Sequence, residues 1–552
     1  MTFGELFIRL LPWRPWPALA ALYWHLTRRR VRARNRLLAA ITPLPFAYDV
    51  WMARVERERE TETELQDSLS SWPSHASFSV ILHGSNDAGS REQSLKSIER
   101  QTYPDWRLIE GSNLADAITG ARGDYVLLLR SGDLVASTGL YRLAEAIEAN
   151  PGALVLYGDQ DELDASDRRI RPRFKPQWNE ELFLAQDYLS GLVAIRTSLA
   201  RQAVADSADF HALLLSATSA AQGAVVHVPH IVSHSGGDPE AQAERLTALA
   251  HHLKNEGAKI SPGIFGAAKV EWPLPANLPL VSVIIPTKDK LELLGPCVDG
   301  VLNRTSYGPL EVLIVDNGSV EPRTADYLAR ITKDPRVRVL PYPAPYNFSA
   351  INNFAAREAT GAYLCLLNND TEVISPEWLT EMMRYAVRDD IGAVGAKLLY
   401  EDGSIQHAGV AIGIGEAAGH SHRFLSNDEP GYFGLAHTAH FVSAVTAACL
   451  VVDKRKYLAV GGLDEENLAV AFNDVDFCLK LQVAGWRNVY TPHAVLVHHE
   501  SKSRGSDLSA PHVDRFRGEL KVLQDRWGTR TARDPLHNPN LDRYSETFVL
   551  RL

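Results

Sequence analysis

Three short apolar runs in the second half of this 552-residue sequence end in acidic, amide or hydroxyl side chains. Residues 281–285 lead into Pro286-Thr287-Lys288-Asp289, residues 311–315 into Asp316-Asn317-Gly318-Ser319, and residues 363–367 into Asn368-Asn369-Asp370-Thr371. In an open parallel sheet, ligands bind outside the carboxyl ends of the strands, so these groups would share one edge. A carboxylate there can accept a hydrogen bond from a base or ribose. Asp370 can hold a divalent cation against phosphate, because Mg²⁺ takes one or two protein carboxylates and fills the rest of its octahedron with phosphate and water. Strand ends also carry Asp and Asn simply as turn formers.

Further along, Asn473-Asp474-Val475-Asp476 reads as a helix start, with Asn473 as N-cap and Gly485 as the stop. Asp474, Phe477, Cys478 and Leu481 fall on one helical face, while Asp476 and Lys480 point elsewhere. A carboxylate heading an apolar stripe is costly as packing and useful as a positioned base; the alternative is a capping carboxylate favoured by the helix dipole. His498 follows the apolar run 494–497, where a neutral imidazole either completes a metal site or is structural. The glycine-rich residues 409–434, with His407, His420, His422 and Tyr432-Phe433, read as a mobile loop whose aromatics can stack on a ligand. His420-Ser421-His422 lacks the cysteine or carboxylate cluster that a second metal site would need.

Taken in order, Thr287/Asp289, Asp316, Asn369-Asp370, Gly461-Gly462-Leu463-Asp464-Glu465, Asn473-Asp474-Val475-Asp476 and His498 resemble a family 2 glycosyltransferase with the GT-A fold. Gln406-His407-Ala408-Gly409 and His498-His499-Glu500-Ser501-Lys502-Ser503-Arg504-Gly505 are similar to a subgroup linked to bacterial O-antigen, capsule and exopolysaccharide synthesis. The resemblance covers roughly residues 276–510. It implies that Thr287, Asp289, Asp316, Asn317, Asn369 and Asp370 bind a nucleotide sugar, a UDP- or dTDP-sugar by expectation. It also implies that Asp370 and His498 hold Mg²⁺ or Mn²⁺, with His499 able to exchange with His498, and that Asp474 is the catalytic base. His407, Tyr432, Asp464 and Glu465 would then face a saccharide or lipid-linked saccharide acceptor. Asn368-Asn369-Asp370 departs from the commoner Asp-x-Asp and leaves one carboxylate. The expected activity is inverting transfer of a hexosyl or deoxyhexosyl group. The alternatives are a bifunctional two-site enzyme, a non-catalytic carbohydrate-binding scaffold, and a nucleotidyltransferase on a related fold.

The elements that must position these residues come in two copies. Phe78-Ser-Val-Ile-Leu matches Val281-Ser-Val-Ile-Ile, and Gly123-Asp-Tyr-Val-Leu-Leu-Leu matches Gly361-Ala-Tyr-Leu-Cys-Leu-Leu. Apolar β-branched runs alternating with helical patterns predict two α/β domains in tandem with mostly parallel sheets, and the resemblance implies that both are GT-A-like. The boundaries read as a helical, basic and aromatic segment over 1–70, a degenerate first domain over 71–235, a linker over 236–278 and a catalytic domain over 279–552. The first copy is shorter by one strand-and-helix unit: about 14 residues separate Ile109 from Gly123, where the second spends about 46 between Val315 and Gly361. It carries Arg130-Ser131-Gly132-Asp133 at the metal-binding strand end, with Gly132 in place of Asp370, which predicts a domain that no longer transfers sugar and in which Asp159 and Asp161 are remnants.

Bulk properties bound the rest. This length favours two or three domains over one core. A net charge of −10 argues against nucleic acid as the main partner. Four scattered cysteines without CxxC spacing fit a reducing cytoplasm. The aromatic stretch before Arg28-Arg29-Arg30 is too short to span a bilayer. It suits either a helix on an anionic membrane surface, at the inner face of the plasma membrane, or a basic helix packed on its own protein.

Overall fold

A computed structural model of the chain describes residues 2–56, 62–72, 75–84, 87–111, 113–204, 209–235, 242–499 and 512–552. The motif residues Glu500-Ser501-Lys502-Ser503-Arg504-Gly505 and the first residues of the expected linker therefore lie outside the described residues.

The architecture is mixed α/β, with two large sheets. The first contains β1 (Phe78–His83), β2 (Trp106–Leu108), β3 (Tyr125–Arg130), β4 (Leu134–Val135), β5 (Val155–Leu163), β6 (Leu192–Arg196) and β7 (Val225–Ser235). Their order is β2-β1-β3-β6-β5-β7-β4. The second contains β8 (Val281–Thr287), β9 (Leu310–Asp316), β10 (Val337–Pro341), β11 (Tyr363–Leu367), β12 (Thr371–Val373), β13 (Ile391–Leu399), β14 (Cys449–Asp453) and β15 (Arg487–His498). Its order is β10-β9-β8-β11-β14-β13-β15-β12. Leaving out β10 makes the two orders the same. The helix Pro322–Ile331 and β10 have no counterpart in the first sheet, where only the helix Leu114–Gly120 lies between β2 and β3.

The glycine shared by the two copies has a steric cause. A Cβ on Gly361 would meet Ser282 Oγ at 2.6 Å and Leu280 O at 2.7 Å, and one on Gly123 would meet Ser77 O at 2.7 Å. In each copy the glycine N–H donates to the serine of the adjoining strand, Ser79 or Ser282, at 2.9 Å. The matched Ser and Gly are thus one close backbone approach used twice.

The sheets are parallel-rich, as expected, but each takes in antiparallel strands. β8 pairs in parallel with β9 and β11, but β14 runs antiparallel to both β11 and β13. β6 is likewise antiparallel to β3 and β5. A strand buried on both faces shows a continuous apolar run whichever way it points, so the pattern of residues 449–453 carries no direction.

The segment expected as a linker folds into a helix, Gln242–His252, and an antiparallel hairpin, Lys259–Pro262 with Ala268–Glu271. Trp272 Nε1 donates to Glu181 Oε1 of the first half, and Arg384 of the second half donates to Trp272 O. One buried apolar cluster runs from Leu6 through both sheets to Leu550. The two halves therefore share buried apolar packing at this seam, beside one further cluster in each half.

Both termini reinforce it. The N-terminal segment forms α1 (Phe3–Leu10), α2 (Pro15–Leu26), α3 (Arg30–Ile41) and α4 (Pro45–Trp51). Leu6, Ala18, Leu37, Tyr48 and Trp51 are buried in that same cluster, and Tyr48 donates to Asp161 Oδ2 at 2.6 Å. The C-terminal tail returns to the first half, where Asn538 and Asn540 donate to the fully buried carboxylate of Asp159. Asp159 and Asp161 are consequently working anchors for the two ends of the chain, and not idle remnants.

Candidate active site

Strand register gathers the expected groups at the end of β11. Leu367 is the last residue paired with β14, opposite Cys449, and the chain then turns through Asn368-Asn369-Asp370 into β12. Thr371 of β12 faces His498 of β15, which brings imidazole and carboxylate together with His498 Nε2 at 3.1 Å from Asp370 Oδ1. Asn369 Nδ2 donates to Thr287 Oγ1 at 3.1 Å, tying the end of β8 to the same turn.

His498 is oriented by a residue whose role the sequence did not reveal. Its Nδ1 lies 2.7 Å from Oε1 of buried Gln406, an oxygen that can only accept, so the ring proton sits on Nδ1. Nε2 is left with the ring's one lone pair, which faces the Asp370 carboxylate, with Asn368 Nδ2 3.2 Å away. Two lone-pair atoms at that distance repel unless a positive charge stands between them. Neighbouring ligands of an octahedral Mg²⁺ lie about 2.9 Å apart, from metal–oxygen distances of about 2.0–2.1 Å. The pair therefore fits a divalent cation. Among the described residues no three His, Cys, Asp or Glu side chains converge on a metal position, so phosphate and water would complete the shell. Burial would raise the Asp370 carboxyl, but when His498 is protonated its hydrogen bond and charge outweigh burial and hold the carboxyl below its ordinary value, so that a cation takes the place of that proton. His499 turns away instead, with Nδ1 on Glu401.

Asp474 stands on the other side of one short segment. Ala447 N donates to Asp474 Oδ2 at 3.1 Å, and Asn368 N donates to Ala448 O at 3.1 Å. Adjacent residues thus connect the proposed base to the Asp370 turn. Burial raises the Asp474 carboxyl above its ordinary value, the direction that strengthens a base. The helix runs Asn473–Val483, and Asn473 is its first residue, not its N-cap. Phe472 holds the cap position at φ +61°, braced by a ring contact with Phe516 at 5.3 Å. Asn473 Nδ2 donates backwards to Val470 O, which removes it from capping. Asp476 is fully buried and accepts from Arg526 and Trp527 of the helix Val513–Trp527.

The residues expected to bind the nucleotide divide by what their atoms already do. Asp316 Oδ1 accepts from Ser319 N and Oγ at the end of β9. Asp289 Oδ1 accepts from the amides of Val320 and Glu321 at 2.8 Å, so it shapes the following loop. Asn317 Nδ2 donates to Tyr342 O and Ala344 O, bracing the segment after β10.

The acceptor loop requires correction. Residues 409–434 form a hairpin, Val410–Ile412 with Ala418–His420, pinned by the C-terminal tail through Ile412 N to Asp534 and His422 N to Glu546 O. Tyr432 exchanges hydrogen bonds with Phe174 N and O, and its ring stacks on Phe548 at 5.5 Å, so neither its hydroxyl nor that face is open to sugar. His407 is fully buried against His420, and burial pushes it down to about 3. In the strand Ile405–His407 successive side chains point to opposite faces, so Gln406 reaches the site and His407 does not. Asp464 and Glu465 stand beside a separate cleft of about 410 Å³ with Asn353, Arg357 and Lys480. Asp464 is held by Arg526 and Glu465 by Asn353.

Comparison with known proteins matches residues 282–449 to Glycosyl transferase family 2. A Sinorhizobium fredii protein described as uncharacterized, y4gI, is 40% identical over 458 residues, 79% of this chain and 50% of its own length. The O-antigen biosynthesis protein RfbC of Myxococcus xanthus is 32% identical over 550 residues, 90% of this chain and 42% of its own. An N-acetylglucosaminyl-diphospho-decaprenol L-rhamnosyltransferase of Mycobacterium tuberculosis is 26% identical over 255 residues, 42% of this chain and 81% of its own. The chain spans about half the length, or less, of the first two relatives.

Proposed function

Since the chain belongs to the family 2 glycosyltransferases through residues 282–449, we propose that it is a single-site, inverting enzyme of the GT-A type. It moves a sugar from a nucleotide-sugar donor, a UDP- or dTDP-sugar, to a saccharide or lipid-linked saccharide acceptor in O-antigen-type polysaccharide synthesis on the cytoplasmic side. The observation that carries this reading is the Asp370–His498 pair, 3.1 Å apart and oriented by Gln406, one short segment away from Asp474.

Asp370 and His498 would hold Mg²⁺ or Mn²⁺ against the donor diphosphate, and the bound ion supplies neutralisation of the departing nucleoside diphosphate. Asp316, Asn369 and Thr287 line the nucleotide side, with Asp289 and Asn317 setting the loops around it. Asp474 accepts the proton of the acceptor hydroxyl as that oxygen attacks the anomeric carbon on the face opposite the leaving group, inverting the centre. Asp464 and Glu465, beside their own cleft, remain the acceptor-side candidates of the expected four.

The first half then serves as scaffold. Its ladder pairs Phe78 with Tyr125 as the second pairs Val281 with Tyr363, so Gly132 occupies the position of Asp370. The Leu134–His234 pairing, extended by one residue, sets Ser235 where His498 stands. Neither cation ligand has a counterpart there, which speaks against a bifunctional enzyme. A donor-hydrolysis screen across nucleotide sugars with Mn²⁺ or Mg²⁺ tests the reading. Hydrolysis of one donor by the intact chain, lost in Asp370→Ala, is expected; hydrolysis that survives this change would refute it.

A further inference from the structure

The N-terminal helices divide their apolar residues between two directions. On α2, Ala18 and Ala21 are fully buried against the protein, while Trp16, Leu19, Tyr23 and Leu26 are 80%, 46%, 59% and 72% exposed. Those four fall at i, i+3, i+7 and i+10, a single outward stripe. Ile8 of α1 and Trp13 of the intervening turn are 69% and 59% exposed as well. Isolated exposed apolar side chains are ordinary, but a contiguous aromatic stripe marks a docking surface.

Charge identifies what it docks to. The whole chain is net −10, yet its first 41 residues contain eight arginines and a single acid, Glu5. Arg9 and Arg14 flank the α1–α2 turn, and exposed Arg28, Arg29 and Arg30 follow the last residues of the stripe. A 12-residue helix of about 18 Å is too short to cross a hydrocarbon core of about 30 Å. No helix among the described residues is long and apolar enough to cross a membrane. Tryptophan and tyrosine side chains settle at the headgroup boundary, and arginine pairs there with anionic headgroups.

We infer that the outer face of α1–α2 docks the protein onto an anionic lipid surface, with Trp13, Trp16, Leu19, Tyr23 and Leu26 entering the headgroup boundary and Arg28–Arg30 contacting lipid phosphates. The inner face of the same helices remains part of the protein core, so docking requires no rearrangement of the fold. This inference stands independently of the sugar-transfer reading.

The test is sedimentation of the full chain with vesicles of phosphatidylcholine alone or mixed equally with phosphatidylglycerol. Binding to the mixed vesicles only, weakening as salt is raised, is expected. Replacing Arg28, Arg29 and Arg30 together by alanine should lower partition on the order of 100-fold, about fivefold per arginine. Trp16→Ser combined with Tyr23→Ser should abolish binding while leaving circular dichroism unchanged. The inference is overturned if the intact chain stays in the supernatant with mixed vesicles, or if either set of substitutions leaves sedimentation unaltered. It is equally overturned if light scattering finds a dimer that the stripe substitutions dissociate, because a second copy would then cover this face.

Discussion

At the scale of single residues, burial sets Asp474 apart from an ordinary surface carboxylate. Its carboxyl is raised by desolvation, so the acid limb of turnover against pH should lie above the ordinary aspartate range and vanish in Asp474→Asn. That variant should lose ~10²–10⁴ in turnover. The same shift bears on stability. A carboxyl whose pKa is higher folded than unfolded contributes stability that is complete below the unfolded value and is lost as pH rises through the folded one. Above the folded value ionised Asp474 therefore burdens the fold, and there Asp474→Asn should melt no lower than the parent while transferring far less sugar. Gln406 gives a second residue-scale prediction. With its oxygen removed in Gln406→Leu, the His498 ring loses the group that fixes its tautomer, and Mn²⁺ affinity measured by titration calorimetry should fall about 10–100-fold. Asp370 and His498 were legible from strand-end chemistry and ordered spacing. The role of Gln406 was not, because within Gln406-His407-Ala408-Gly409 the histidine is the group with evident chemistry and a single amide has none that marks it as orienting a distant ring.

At the scale of elements, the apolar runs located β8, β9 and β11 closely, since each is a short β-branched segment bounded by turn residues. What the runs could not convey was direction and partnership. β14 enters antiparallel, and the hairpin at residues 410–420 is pinned under a tail more than a hundred residues later in the chain. Tyr432 shows the consequence. Beside glycines it reads as a sugar platform, yet its hydroxyl both donates to and accepts from the backbone of Phe174. Tyr432→Phe should thus cost roughly 1–3 kcal/mol in chemical denaturation, from the lost hydrogen bonds at a part-buried seam, and leave the KM for acceptor unchanged. A raised KM with unaltered stability would return Tyr432 to the acceptor side. Asn473 illustrates a boundary effect: an Asn before an acidic turn is a favourable N-cap, but here the helix starts one residue earlier, with left-handed Phe472 at the cap position beside Phe516.

At the scale of the whole molecule, the sequence displayed two matched strands and a missing unit before β3, while the order of the remaining strands in each sheet was not visible in it. Nor was the fusion of the two halves, because it depends on distant contacts: Trp272 to Glu181, Arg388 to Glu181, and Asn538 and Asn540 to Asp159. A continuous core through this seam makes independent unfolding of the halves costly, so calorimetry should record one cooperative transition. Asp159→Ala would leave His227, Asn538 and Asn540 without their shared acceptor. A loss of about 3–5 kcal/mol is expected, comparable with breaking a buried ion pair, and the site around Asp370 should keep its chemistry in whatever fraction remains folded.

The account rests on Asp370 and His498 holding a cation at the donor diphosphate while Asp474 handles the acceptor proton beside them. Calorimetric binding of the nucleoside diphosphate in the presence of Mn²⁺ tests this most directly when Asp370→Ala and Asp474→Asn are compared with the intact chain. The account predicts that Asp370→Ala abolishes Mn²⁺-dependent binding and that Asp474→Asn retains it while losing transfer. Undiminished Mn²⁺-dependent binding in Asp370→Ala would contradict it.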